Sequence, residues 1–178
     1  SPGVNTKTNL QVLFNRGTTI SSSGDGVRFN VGGNTTYVGL RLDAYGSGAN
    51  PIVNITSGAT SSAFAIDNGG GSSVTPINDV VVSNIDWKNT SATNQAVVSV
   101  AGGGNATNIM RNIYFDKCNI RMDCDTHSFG VGVVSQGSAL DGHICTNWGY
   151  WKCPVTNPTT TTTVGIGMVG SPQDWFFV

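Results

Sequence analysis

Few side chains in this sequence could do chemistry. It holds ten acidic residues, all Asp, together with two His, nine Lys and Arg, and four Cys. The densest grouping is Asp123-Cys124-Asp125-Thr126-His127, with Asp141-Gly142-His143 shortly after it. Carboxylates ligate cations and exchange protons, and an imidazole titrates near neutrality, so such a group could bind a metal or divide acid and base work. Asp123, Asp125, His127 and His143 are therefore the catalytic candidates. The competing reading is a polar loop beside a cysteine, with His143 opening a strand. The scatter of the other Asp residues favours that reading, since glycoside hydrolysis needs carboxylates held as a pair. The glycine runs Gly69-Gly70-Gly71 and Gly102-Gly103-Gly104 lack the Lys and the helix of a phosphate-binding loop. No cofactor and no metal is expected.

Composition narrows the classes further. Charged residues are 11% of the 178 and the formal net charge is −1, against roughly 25% charged residues in an ordinary soluble domain. The basic residues form no stripe, which argues against a nucleic-acid partner. No run reaches the roughly 20 apolar residues of a membrane span, and Ser1-Pro2-Gly3-Val4 does not open a signal peptide, so a secreted form would already have lost one. Four glycosylation sequons begin at Asn34, Asn54, Asn89 and Asn105. With the even number of cysteines and no Cys-x-x-Cys pair, they point to an extracellular or surface-exposed protein.

The elements that must position these residues come from an internal repeat. Five β-rich segments end at Gly33, Gly70, Gly103, Gly137 and Gly170, spaced by 37, 33, 34 and 33 residues. Between them, Ile77–Trp87 aligns with Met110–Ile120 and, less well, with Leu140–Tyr150. In the first two, Val80, Val82, Ile85 and Trp87 match Ile113, Phe115, Cys118 and Ile120. Period-2 alternation predicts strands whose alternate residues face inward. The shift of phase at Asn84 predicts a corner, because Asn tolerates the left-handed conformation of a sharp bend. No window shows helical periodicity. Each repeat reads as strand, turn, strand, bend, strand, turn, with all strands parallel.

Such repeats resemble those of right-handed parallel β-helix proteins of the pectate-lyase-like superfamily, and Asn9–Ile20 resembles their first coil. The resemblance covers roughly residues 9–170. It implies an all-β fold, a right-handed single-stranded parallel β-helix, or β-solenoid, of about five coils in one domain over residues 1–178. Residues 1–9 are expected as an N-terminal extension and residues 171–178 as an apolar tail. The superfamily hosts lyases, hydrolases, epimerases, tailspikes, adhesins and filaments, so activity does not follow from the architecture. The motif sets of polygalacturonases are absent.

The ends of the solenoid suggest assembly. Leu10, Val12 and Phe14 at one end, and Trp175, Phe176, Phe177 and Val178 at the other, are apolar, and an end coil exposes both core and unpaired backbone. The tail either folds back as a cap or docks on another copy, and a contact of the second kind that does not close builds a filament. Carrying Cys124 along by the 30 residues between Met110 and Leu140 puts it next to Cys153, which predicts a Cys124–Cys153 disulfide between neighbouring coils. By the same alignment Cys118 and Cys145 fall on inward positions, as two buried thiols or a second bridge. The expected function is a non-catalytic subunit of a surface filament or of a tailspike-like or adhesin-like assembly, self-associating, with a glycan as a further partner. The alternative is a polysaccharide lyase, hydrolase or epimerase using the Asp123–His127 loop.

Overall fold

The structure is a computed structural model that describes residues 5–30, 35–57, 62–68, 77–91, 97–102, 110–122, 131–136, 144–151, 153, 155–156, 165–169, 171–173 and 176–177. Among these residues the fold is all-β without a helix. The chain begins with β1 (Asn5–Thr8), β2 (Gln11–Asn15), β3 (Thr19–Ser22) and β4 (Val27–Asn30). The same order returns in β5 (Thr35–Val38), β6 (Arg41–Tyr45), β7 (Ile52–Ile55) and β8 (Phe64–Asn68). It continues through β9 (Ile77–Ser83), β10 (Asp86–Asn89) and β11 (Val98–Gly102), then β12 (Met110–Asp116), β13 (Ile120–Met122) and β14 (Val131–Gln136). The last strands are β15 (Ile144–Trp151), β16 (Val155–Thr156), β17 (Gly165–Val169), β18 (Ser171–Gln173) and β19 (Phe176–Phe177).

These strands form three curled sheets in which every pairing is parallel. One sheet runs β16-β13-β10-β7-β3, a second runs β17-β14-β11-β8-β4, and the third holds β1, β2, β5, β6, β9, β12, β15, β18 and β19. The chain thus visits the three sheets in turn and stacks each new strand on its predecessor. This arrangement is compatible with a β-solenoid. All five glycine-ended segments are strands, in one sheet, as the repeat predicts.

The inward rows are those read from the alternation. Val80, Val82, Ile85 and Trp87 are fully buried, as are Ile113, Phe115, Cys118 and Ile120. The register pairs Val80 with Ile113, Val82 with Phe115, and Trp87 with Ile120. An aromatic column fills the centre. Phe64 packs on Trp87 at 5.1 Å and edge-on against Phe115 at 5.4 Å, with Phe29 at 6.2 Å. Tilted and T-shaped contacts of this kind suit the quadrupole of the rings.

The corners are built from left-handed residues. Asn84 has φ 55° as the sequence predicts, and Lys117 stands at the equivalent position with φ 54°. A second left-handed stack, not foreseen, consists of Asn9, Gly39, Asp79 and Asn112. It bends the large sheet, and Asn112 Nδ2 donates to Asp79 Oδ1 at 2.6 Å along the stack. Asx side chains tolerate this conformation better than most residues.

One alignment is overturned. Met110 pairs with Cys145, not Leu140, and Ile113 pairs with Trp148. The step is therefore 35 residues where the sequence suggested 30. Cys145 takes the register position of Met110 and Ile77, where the sequence had aligned it with Val82. Within the segment expected as an N-terminal extension, Asn5–Thr8 forms a strand of the large sheet, paired with Thr35–Val38.

Candidate functional site

The catalytic candidates Asp123, Asp125, His127 and His143 lie outside the described residues, as do Asn34, Asn105, Cys124, Trp175 and Val178. Among the described residues no group of three His, Cys, Asp or Glu could hold a metal ion. The two sequons that are described behave differently. Asn54 is half-buried and its Oδ1 accepts from Thr90 Oγ1 at 3.3 Å. Asn89 is 0% exposed and its Oδ1 takes the Ser91 N–H at 2.8 Å. In the folded chain the Asn89 side chain is thus enclosed and engaged in a turn.

The feature that stands out is the edge made by the first strands. β3 and β4 are terminal in their sheets, and β1 and β2 end the large one. Val12 stacks on Leu42 and Ile20 on Val53, while the flanking pairs Thr8–Val38 and Gln11–Arg41 set Leu10 on Leu40. Leu40, Leu42 and Val53 are at most 1% exposed, yet Leu10 is 38% and Ile20 42% exposed. Inward residues are in solvent there because no strand covers them among the described residues. Leu13 adds a large exposed side chain on the outer face of β2. A groove of about 380 Å³ runs beside Leu10, bounded by Leu40, Arg41, Asp79 and Val81. Phe14, grouped with this edge from its sequence position, is a buried member of the core. Ile20 belongs to the edge and was missed, although its spacing to Val53 and Trp87 follows the repeat.

At the other end, Phe176 and Phe177 pair with Gly149 and Tyr150, extending the large sheet in the same parallel sense. β16 and β17 are the terminal strands of the other two sheets.

A polar column links the layers at one corner. The Arg16 guanidinium donates to Asn50 Oδ1 at 2.7 Å, Asn50 Nδ2 donates to Asp86 Oδ1 at 3.0 Å, and the Asn119 N–H reaches the same oxygen at 3.4 Å. Each bond joins one layer to the next, and together they hold the layers in register.

The cysteines lie beside this column. Cys118 is fully buried and Cys153 half-buried, and both are thiols. The Cys118 N–H donates to Cys153 Sγ at 3.4 Å, and the Cys118 thiol is also near Val82 O at 3.5 Å. Burial pushes the Cys118 thiol well up, and the neighbouring Cys153 sulfur adds to the rise. Cys153 is held below its ordinary value, chiefly by the hydrogen bond from the Cys118 side chain, with the Cys118 N–H helping and burial opposing. The 30-residue step that led to a Cys124–Cys153 bridge is not the one the strands adopt. Among the described residues Cys153 has Cys118 as its neighbour, and Cys124 lies outside them. A signal for this was present in the sequence, since Cys118-Asn119-Ile120 and Cys153-Pro154-Val155 share their spacing.

No protein-family model, no curated protein and no solved structure matches this chain.

Proposed function

We propose that this chain is a non-catalytic extracellular structural protein that assembles head to tail. Its architecture would be a right-handed parallel β-helix of about five coils, of the pectate-lyase-like kind, serving in a surface filament or a tailspike-like or adhesin-like structure. The observation that supports this reading is the row end at Leu10 and Ile20, where inward apolar side chains are exposed and no strand covers them among the described residues. The partner this reading implies is a second copy of the same chain, because every strand pairing among the described residues is parallel and a further copy could continue the stack in the same sense. The low charge and the solenoid repeat suit a surface structure, and the polar column through Arg16, Asn50 and Asp86 supplies a register that a following copy could continue.

The test is electron microscopy and sedimentation of the untagged protein over a range of concentrations. Assemblies that grow with concentration are expected. A paired Leu10→Asp and Ile20→Asp variant should remain monomeric with an unchanged circular dichroism spectrum, because both side chains are already exposed and a charge there costs the monomer little. A wild-type chain that stays monomeric at every concentration would overturn the reading, as would a paired variant that still assembles.

A further inference from the structure

The geometry points to a disulfide between Cys118 and Cys153, a covalent staple joining two successive layers of the stack. The pairs on either side of the two residues fix their relation. Asp116 lies opposite Trp151, and Ile120 lies opposite Val155. Both pairs are 35 residues apart, and so are Cys118 and Cys153, which makes them register partners at the corner between the two sheets. Neighbouring parallel strands are about 4.8 Å apart. That falls inside the roughly 4.4–6.8 Å between Cα atoms that a disulfide accepts. The approach of the Cys118 N–H to Cys153 Sγ at 3.4 Å places the second sulfur directly against the first residue.

The two cysteines divide the work of forming the bond. Cys153 is half-buried and within reach of a reagent, whereas Cys118 is sealed in the core. The Cys153 thiolate attacks one sulfur of a small disulfide such as oxidised glutathione, the S–S bond breaks, and one glutathione leaves as the thiolate. Cys118 then gives up its proton and attacks the Cys153 sulfur of the mixed disulfide, releasing the second glutathione. Two protein thiols are oxidised, one glutathione disulfide is reduced to two thiols, and the two protons end on the leaving groups. The lowered affinity of Cys153 for its proton suits it to the first step. The staple does not depend on head-to-tail assembly, since a monomer can form it equally well.

The sequence makes the test direct. Trypsin cuts after Lys117, Arg121 and Lys152, which puts Cys118 in peptide 118–121, Cys124 and Cys145 together in peptide 122–152, and Cys153 in peptide 153–178. The full chain is incubated with excess oxidised glutathione under native conditions, quenched in acid, alkylated and mapped without reduction. Peptide 118–121 joined to peptide 153–178 is expected. Peptide 118–121 joined to 122–152, or recovered alkylated from oxidised and folded protein, would overturn the inference. A variant carrying Cys124→Ser and Cys145→Ser should give the same linked pair, and a folded variant without it would refute the staple.

Discussion

Leu10 and Leu40 sit in the same row of the core, as do Ile20 and Val53, yet the first of each pair is largely in solvent and the second is sealed. Nothing in the residue types separates them, for all four are aliphatic. The difference is that Leu40 and Val53 lie between two strand layers and Leu10 and Ile20 beside one. Burial in a stacked fold belongs to the neighbours of a residue more than to the residue itself. Among the described residues the middle layers therefore hold the closed core, and the first layer leaves its inward side chains exposed.

This contrast can be tested by substitution, beginning with the largest expected effect. Trp87 is fully buried and packs on Phe64, so Trp87→Ala should cost about 3–5 kcal/mol of unfolding free energy. Ile20→Ala, at the exposed row end, should cost less than about 1 kcal/mol, since little apolar area is lost from the core. Urea denaturation of the two variants measures the ratio, and equal losses would show that the first layer is as well covered as the third.

Reduction of a Cys118–Cys153 bond should lower stability by roughly 3–4 kcal/mol, the chain-entropy value for a loop of this size. The check is thermal unfolding with and without reductant, set against a Cys153→Ser variant that should not respond to reductant. A smaller loss is expected from Gly26→Ala. A Cβ at Gly26 would meet the Ala63 carbonyl and come within 2.6 Å of Val53 Cγ1. Backbone cannot give way as a flexible side chain does, so a loss of about 2 kcal/mol should appear in the same assay. Lys117→Gly should act in the opposite direction by about 0.5 kcal/mol. It relieves a left-handed φ of 54° and forfeits only an exposed ion pair with Asp116. A destabilised Lys117→Gly would mean that the corner depends on the Lys side chain.

Much of the architecture was legible in the sequence because its causes are local. Alternation over Ile77–Ser83 and Met110–Asp116 gave away the inward face, and the phase shift at Asn84 the corner. The glycine spacing revealed the repeat. The left-handed stack through Asp79 and Asn112 was not read, because a bend inside a strand leaves the alternation on either side of it intact. The step into β15 was misjudged because loop length is free to vary between strands, and an apolar segment aligns with its predecessor at more than one offset. Only the closed hydrogen-bond ladder selects 35 residues over 30.

Taken by itself, the sequence determined that the chain forms parallel strands, which side chains of the central repeats face inward, and where one sharp corner falls. Each of these follows from a two-residue period or from the backbone tolerance of a single residue type. The tertiary structure alone decided which strand lies on which. From that came the burial of Asn89 within a sequon and the exposure of Leu10 and Ile20 in rows that elsewhere are closed. Stacking order depends on loop lengths and on the presence or absence of a neighbouring layer, and neither is written in any one segment of the chain.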